Sequence, residues 1–226
     1  MIFASSYSPI LYLGPVPVYD HTVAQWLVMI VLGVTAFLAT RNMQAVPRGL
    51  QNAWEAIVQL CYDFFGGVLD EHAAKKWTPI LATFFLFILT SNYIGLFPGS
   101  ATIHGFVPPT ADWNTNACLA LIVFFTVQIS GFVAHGSHYL GHFISPHPAF
   151  LPLAIIEELV RPLSLTLRLF GNIFGHEMIV SFLVLMAPFL VPMPLVALGV
   201  LTGLIQALVF TILATSYVAA ATGEGH

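Results

Sequence analysis

Charge is what this chain has least of. Six of its 226 residues are Lys or Arg and ten are Asp or Glu, so 7% of the sequence is charged, against ~25% in an ordinary soluble domain. That scarcity excludes a soluble globular domain, and a formal net charge of −4 leaves no basic footprint for nucleic acid. Cysteine is nearly absent too. Cys61 and Cys118 each lie in an apolar helical stretch, so no disulfide framework is implied. Residues 1–20 have no basic n-region and are broken by Pro9, Pro15 and Pro17, which argues against a cleavable signal peptide. There is no internal repeat and no low-complexity segment. What remains is apolar: 58% of the residues are hydrophobic and the mean hydropathy is +0.89. The chain reads as one all-α polytopic membrane domain.

Its organisation follows from the length and punctuation of the apolar runs. Residues 1–20 form an outer N-terminal segment, and 22–40 form a first span of about the ~20 residues a bilayer needs. Over 50–70, Leu50, Trp54, Ile57, Val58, Cys61, Phe64, Phe65 and Val68 recur at helical spacing with Gln51, Glu55, Gln59, Asp63 and Asp70 between them. That pattern predicts an interfacial amphipathic helix. Lys75, Lys76 and Trp77 anchor a second span at 78–97, the proline-rich stretch 98–113 is a loop, and a third span covers 115–140. Two longer apolar runs, 150–187 and 195–222, are separated by Pro188, Pro192 and Pro194. At 1.5 Å per residue they reach ~55 Å and ~40 Å, more than the ~30 Å hydrocarbon core, which predicts a strongly tilted hairpin with candidate kinks at Pro152 and Pro162. The three earlier spans are expected to stand roughly perpendicular to the membrane. Arg41, Arg48, Lys75, Lys76 and Arg161 all fall on one side of these crossings, which places the N-terminus outside and the C-terminus in the cytoplasm.

The sixth basic residue, Arg168, lies inside the hairpin. A guanidinium at bilayer depth costs roughly 2.5–3.5 kcal/mol on insertion scales and cannot escape by deprotonation. An intramembrane charge of this kind is a functional site by default. Ser164 and Asn172 are four residues away on either side and share its helical face. Glu177 is nine residues on, half a turn round the helix and ~13 Å along it, which does not suit a tight salt bridge. The pair suits an ion path with a fixed barrier charge and a separate relay group; the other reading is mutual neutralisation inside a static bundle. Gln206, with Thr202 and Thr211, is the main polar feature of the last helix. Folding the hairpin brings it either near Glu177 or within one or two turns of Arg168, a choice left open by the sequence.

Other polar residues have two readings each. His176 is a relay group or a packing histidine. Glu157 and Glu158 line an aqueous access on the cytoplasmic side or are solvated helix-end charges. Asp112 and Asn116 open the third span from the outer side, where Asp112 also suits a helix N-cap. Asn92 is a polar wall or interhelical glue. His135, His138 and His142 share one face, but with no nearby carboxylate and no HExxH they suit the membrane interface better than a metal site.

At this point a resemblance is specific. Arg161-Pro-Leu-Ser-Leu-Thr-Leu-Arg168-Leu-Phe-Gly-Asn172, followed by Glu177, resembles the hallmark segment of subunit a of rotary F-type ATP synthases. Ala39-Thr-Arg-Asn-Met-Gln-Ala-Val-Pro-Arg-Gly-Leu-Gln-Asn52, Ser91-Asn-Tyr-Ile-Gly-Leu-Phe-Pro-Gly99 and Pro109-Thr-Ala-Asp-Trp-Asn-Thr-Asn116 agree with it. The match covers nearly the whole chain in a bacterial or chloroplast style. The resemblance implies a non-catalytic stator subunit, without cofactor or metal, whose tilted hairpin packs on a ring of c subunits and which contacts the b-subunit peripheral stalk. It implies two offset half-channels carrying protons or sodium to and from the ring carboxylates. It further implies that Arg168 is the essential arginine, with Asn172, Glu177 and Gln206 along the ion path; His176, beside Glu177, is a further candidate for that path, and Asp112, Asn116, Asn92, Glu157 and Glu158 are candidate linings of the half-channels. A bacterial plasma membrane is the expected location, with the thylakoid as the second choice.

The sequence departs from the family at three positions. His176 stands where the residue is often small, Gly199 where some members carry a histidine or acid, and Ala154 where many carry a glutamate. His176 then supplies across the hairpin the polar group missing at 199, and Glu157 or Glu158 substitutes for the missing inner carboxylate. Two rival classes are a secondary transporter clamping an anionic substrate on Arg168, which would more often show an internal repeat, and an intramembrane metalloenzyme built on the His135 cluster.

Overall fold

The computed structural model describes residues 11–13, 16–96, 107–136, 139, 151–186 and 192–223. Residues 1–10, most of the 98–113 loop, His138, His142 and the hairpin turn at Pro188 lie outside them. Among the described residues six α-helices carry the architecture: α1 (Asp20–Thr40), α2 (Leu50–Gly66), α3 (Glu71–Ile94), α4 (Trp113–His135), α5 (Leu151–Met186) and α6 (Pro192–Thr222). α1, α3, α4 and α6 are each long and apolar enough to cross a membrane. α5 has 36 residues and α6 has 31, ~54 Å and ~46 Å at 1.5 Å per residue, so neither fits upright in a ~30 Å core.

The sequence-based boundaries shift at several ends. The outer segment contains a hairpin of two three-residue strands, β1 (Leu11–Leu13) and β2 (Val16–Val18), paired antiparallel with Tyr12 opposite Pro17. Strands this short carry too little alternation to register as a periodic signal. α2 stops at Gly66, ahead of the expected 70, where Gly66-Gly67 ends the helix. α3 begins at Glu71, so Lys75, Lys76 and Trp77 lie within its first turns; the Lys76 ammonium sits 5.6 Å from the Trp77 ring centroid. α4 ends at His135, where Gly136 takes a positive φ of 59° that a side chain rarely tolerates. α5 runs unbroken through Pro162; Pro152 falls in its first turn, where no N–H is needed.

Packing concentrates on α3, α4 and α6, with α5 laid against α4 and α6. On α6, Gly203, Ala207, Phe210, Ala214, Val218 and Ala221 are buried at three- and four-residue intervals. Small residues there let the helices approach closely, the device that substitutes for hydrophobic drive in a membrane. The Phe84 and Phe210 rings meet edge-on at 6.4 Å. Thr211 and Thr215 donate to the carbonyls of Ala207 and Thr211 at 2.8 and 2.7 Å, so these buried hydroxyls are satisfied within the helix. α1 is the outlier. It buries Ala24 and Val28 but presents Met29, Ile30, Val34, Phe37 and Leu38 outward, as suits a lipid-facing helix.

Gly131 lies under the buried Tyr139 ring, and a Cβ there would overlap ring atoms Cε2 and Cζ. Gly131→Val is expected to destabilise the fold by ~1–3 kcal/mol through overpacking. Thermal unfolding in detergent measures it; a midpoint equal to the parent's contradicts this packing.

Candidate functional site

Antiparallel folding of α5 against α6 settles the register left open above. Asn172 Nδ2 donates to Gln206 Oε1 at 2.7 Å, so Gln206 lies one turn from Arg168 and not beside Glu177. Gln206 is 2% exposed, and its Nε2 has no partner among the described residues. Arg168 itself is exposed and forms no ion pair with any described residue; the ion pairs on α5 belong to Arg161. The surface around it is low and apolar. Open space stands over Gly171 and Gly175, while Leu163, Leu167, Ile179 and Phe182 on α5, with Leu201 and Ile205 on α6, face outward. A permanent cation thus projects from a smooth apolar face.

One turn beyond Asn172, His176 is half-buried with its ring over Gly199. A Cβ at Gly199 would stand 2.6 Å from His176 Nε2 and 2.6 Å from Leu96 Cδ2. The imidazole therefore fills the space a side chain at 199 would need. Glu177 is half-buried and has neither hydrogen bond nor ion pair with a described residue.

The outer candidates form a separate buried network. Asn92 is 5% exposed, and Thr110 and Asn116 are fully enclosed. Asn92 Nδ2 donates to the Gly203 carbonyl at 3.0 Å, Thr110 Oγ1 donates to Asn92 Oδ1 at 2.7 Å, and Asn116 Nδ2 donates to the Thr110 carbonyl at 2.7 Å. Asn92 is thus interhelical glue between α3, α6 and the short 3-10 turn Pro109–Ala111, and its contact to Gly203 depends on that residue lacking a side chain. Asp112 caps α4, accepting from the Thr115 amide at 3.1 Å and the Thr115 hydroxyl at 3.2 Å. The Thr115 hydroxyl also accepts from Gln25 on α1. Thr110 and Gln25 carry no periodic signal; only the sequence motif around Thr110 pointed to that turn.

At the other end of α5, Arg161 grips Glu158 at 2.6 Å and Glu157 at 2.9 Å. Glu158 also accepts from Gln128 of α4 at 2.9 Å, and the guanidinium stacks over the Tyr217 ring of α6 at 5.3 Å. Glu157 projects outward, while Glu158 is largely enclosed. His135 places a ring nitrogen 3.2 Å from the Gly223 carbonyl, tying the ends of α4 and α6 together. No cluster of metal-ligating side chains occurs among the described residues.

Comparison with known proteins adds context. The sequence profile of the family described as ATP synthase A chain matches residues 22–219. The chain is 45% identical over 214 residues to the ATP synthase subunit a of Moorella thermoacetica, covering 93% of this chain and 94% of that one. It is 42% identical over 211 residues to the subunit a of Geobacter sulfurreducens, covering 92% and 89%. Against the subunit a of Citrifermentans bemidjiense the identity is 44% over 211 residues, with the same coverage.

Two packing predictions follow from the geometry. Asn92→Leu strands the Thr110 hydroxyl and removes the side-chain tie to α6, and is expected to cost ~1–3 kcal/mol, read as a lowered thermal midpoint in detergent. Gly199→Ala is expected to destabilise by evicting the imidazole, and adding His176→Ala should recover part of the loss. Strictly additive losses in that double-mutant cycle would mean the two positions do not touch.

Proposed function

Because the chain belongs to the ATP synthase A chain family, we propose that it is the ion-conducting stator subunit of the membrane sector of an F-type ATP synthase, with Arg168 the charge that discharges a passing rotor carboxylate. The protein is a multi-pass membrane component of that complex. It makes and breaks no covalent bond; its task is to route ions. Its partners are the c-subunit ring on the α5–α6 face and the b-subunit stalk, within a bacterial plasma membrane, N-terminus outside and C-terminus in the cytoplasm.

The observation that carries this reading is Arg168, exposed on an apolar face without a counter-ion among the described residues. A cation so placed costs several kcal/mol unless a mobile anion meets it. A rotor carboxylate supplies that anion. Facing lipid, the carboxyl must be neutral, because a charged one is penalised there. Near the guanidinium its ionised form is favoured, so it releases its ion on approach and loads another after passing. The same fixed charge repels cations and blocks a direct leak between the two half-channels. Each ion crossing 100 mV contributes ~2.3 kcal/mol toward rotation.

The remaining residues divide by side. Asp112, Asn116 and Asn92 line the outer half-channel toward His176 and Glu177. Glu157 and Glu158 serve the cytoplasmic half-channel, and Asn172 with Gln206 forms the polar wall beside Arg168. The ion is a proton or a sodium ion, as the ring carboxylate selects.

Arg168→Ala and Arg168→Lys are both expected to abolish coupled ATP synthesis and ATP-driven pumping, since lysine lacks the fixed, delocalised charge. Normal coupled pumping by either variant sinks the assignment. Glu177→Gln should slow ion flow and alter its pH profile; an unchanged rate and profile removes Glu177 from the path.

A further inference from the structure

We infer that Glu157 and Glu158 reverse the electrostatic sign of Arg161, so that a passing rotor carboxylate meets a positive charge at Arg168 and a net negative one two to three turns back along α5. The inference rests on the stator reading above and states what the two carboxylates do for it: they set a step in potential and do not themselves carry the ion. Arg161 precedes Arg168 by seven residues, which is ~20° short of two turns and ~10.5 Å along the axis. Glu157 precedes Arg168 by eleven, three turns and ~20°. All three therefore share one stripe of α5. Their surroundings differ. Arg168 is exposed and has no ion pair among the described residues, whereas Arg161, 28% exposed, holds Glu158 at 2.6 Å and Glu157 at 2.9 Å. Two carboxylates against one guanidinium leave the cluster with one negative charge in excess. Gln128 and the Tyr217 ring add contacts without charge, and Val123, Val127, Pro162 and Leu165 close the site with apolar surface.

The two carboxylates are not equivalent. Glu158 is 16% exposed and has both oxygens engaged, Oε1 by Arg161 and Oε2 by Gln128 of α4. It is fixed inside the bundle and matches the guanidinium. Glu157 is 66% exposed and offers Arg161 one oxygen; the other has no partner among the described residues. The excess charge therefore sits at Glu157, on the outward side of the stripe. Its position matters because α5, at 36 residues, cannot stand upright in the hydrocarbon core. In a tilted helix, steps along the axis are also steps along the rotor's track. A bare Arg161 would lengthen the positive region by two turns and keep the rotor carboxylate ionised where it must load again. The negative excess ends that region and concentrates cations beside it. A low-dielectric setting makes a unit charge ~10 Å away count for far more than it would in water.

Glu157 is exposed, so its charge can be varied without disturbing the enclosed grip on Glu158. In the intact complex in sealed membrane vesicles, ATP-driven pumping is measured per assembled complex while protons, then sodium ions, are titrated. Activity should follow the net charge of the cluster. Glu157→Gln should lose several-fold and Glu157→Lys more, with the half-saturating ion concentration rising in the same order. Arg161→Gln added to Glu157→Gln returns the excess negative charge, now on Glu158, and should recover most of the loss. Equal rates in the Gln and Lys variants would mark a carboxylate that carries the ion itself, and they overturn the inference. So does an unchanged half-saturating concentration, or a failure of Arg161→Gln to recover activity at equal assembly. Arg168→Ala separates the two readings. Coupled pumping by that variant defeats the stator assignment, whereas an inactive Arg168→Ala beside a Glu157 series indifferent to charge defeats this inference alone.

Discussion

A charge that cannot be neutralised, held on an apolar face, constrains nearly everything around it. Arg168 has no counter-ion among the described residues, so its surroundings must keep the helix from burying it or pairing it internally. Gly171 and Gly175 keep the face beside it flat. The Asn172–Gln206 hydrogen bond ties α5 to α6 one turn away without contributing a charge of its own. Glu177, the next carboxylate in sequence after Arg168, is turned half a revolution away, too far for capture. Had it stood at i+4, a static pair would have formed and the cation would have been spent internally.

The polar groups away from that face obey the opposite rule, since in a membrane every enclosed donor or acceptor needs a partner. Asn92, Thr110 and the Asn116 amide nitrogen are linked across three elements, and the α6 threonines satisfy themselves on their own backbone. Asn92 in particular holds α3 to α6.

Much of this was legible in the sequence, and the reasons for the rest are physical. The isolation of Arg168 and its shared face with Asn172 follow from i, i+4 spacing alone. The register of the hairpin does not, because α6 is apolar all round and no period distinguishes one rotation or shift from another; a single amide–amide bond decides it. The N-cap at Asp112 was one of two readings, and the Thr115 amide selects it. Thr110 went unnoticed because a proline-rich turn carries no period. The early start of α3 was hidden because Glu71, Lys75 and Lys76 look extramembranous, although helical backbone continues past the hydrocarbon boundary at no penalty.

The Arg161 cluster has a mechanical consequence. A helix held to its neighbours only by dispersion contacts slides under a sideways load. Near one end of α5, a single guanidinium grips two carboxylates, one of which is tied to α4, and lies over an aromatic ring of α6. A lateral load on α5 is thus shared among three helices through directional contacts that resist shear, and α5 can yield at its far end while the end near Arg161 stays fixed.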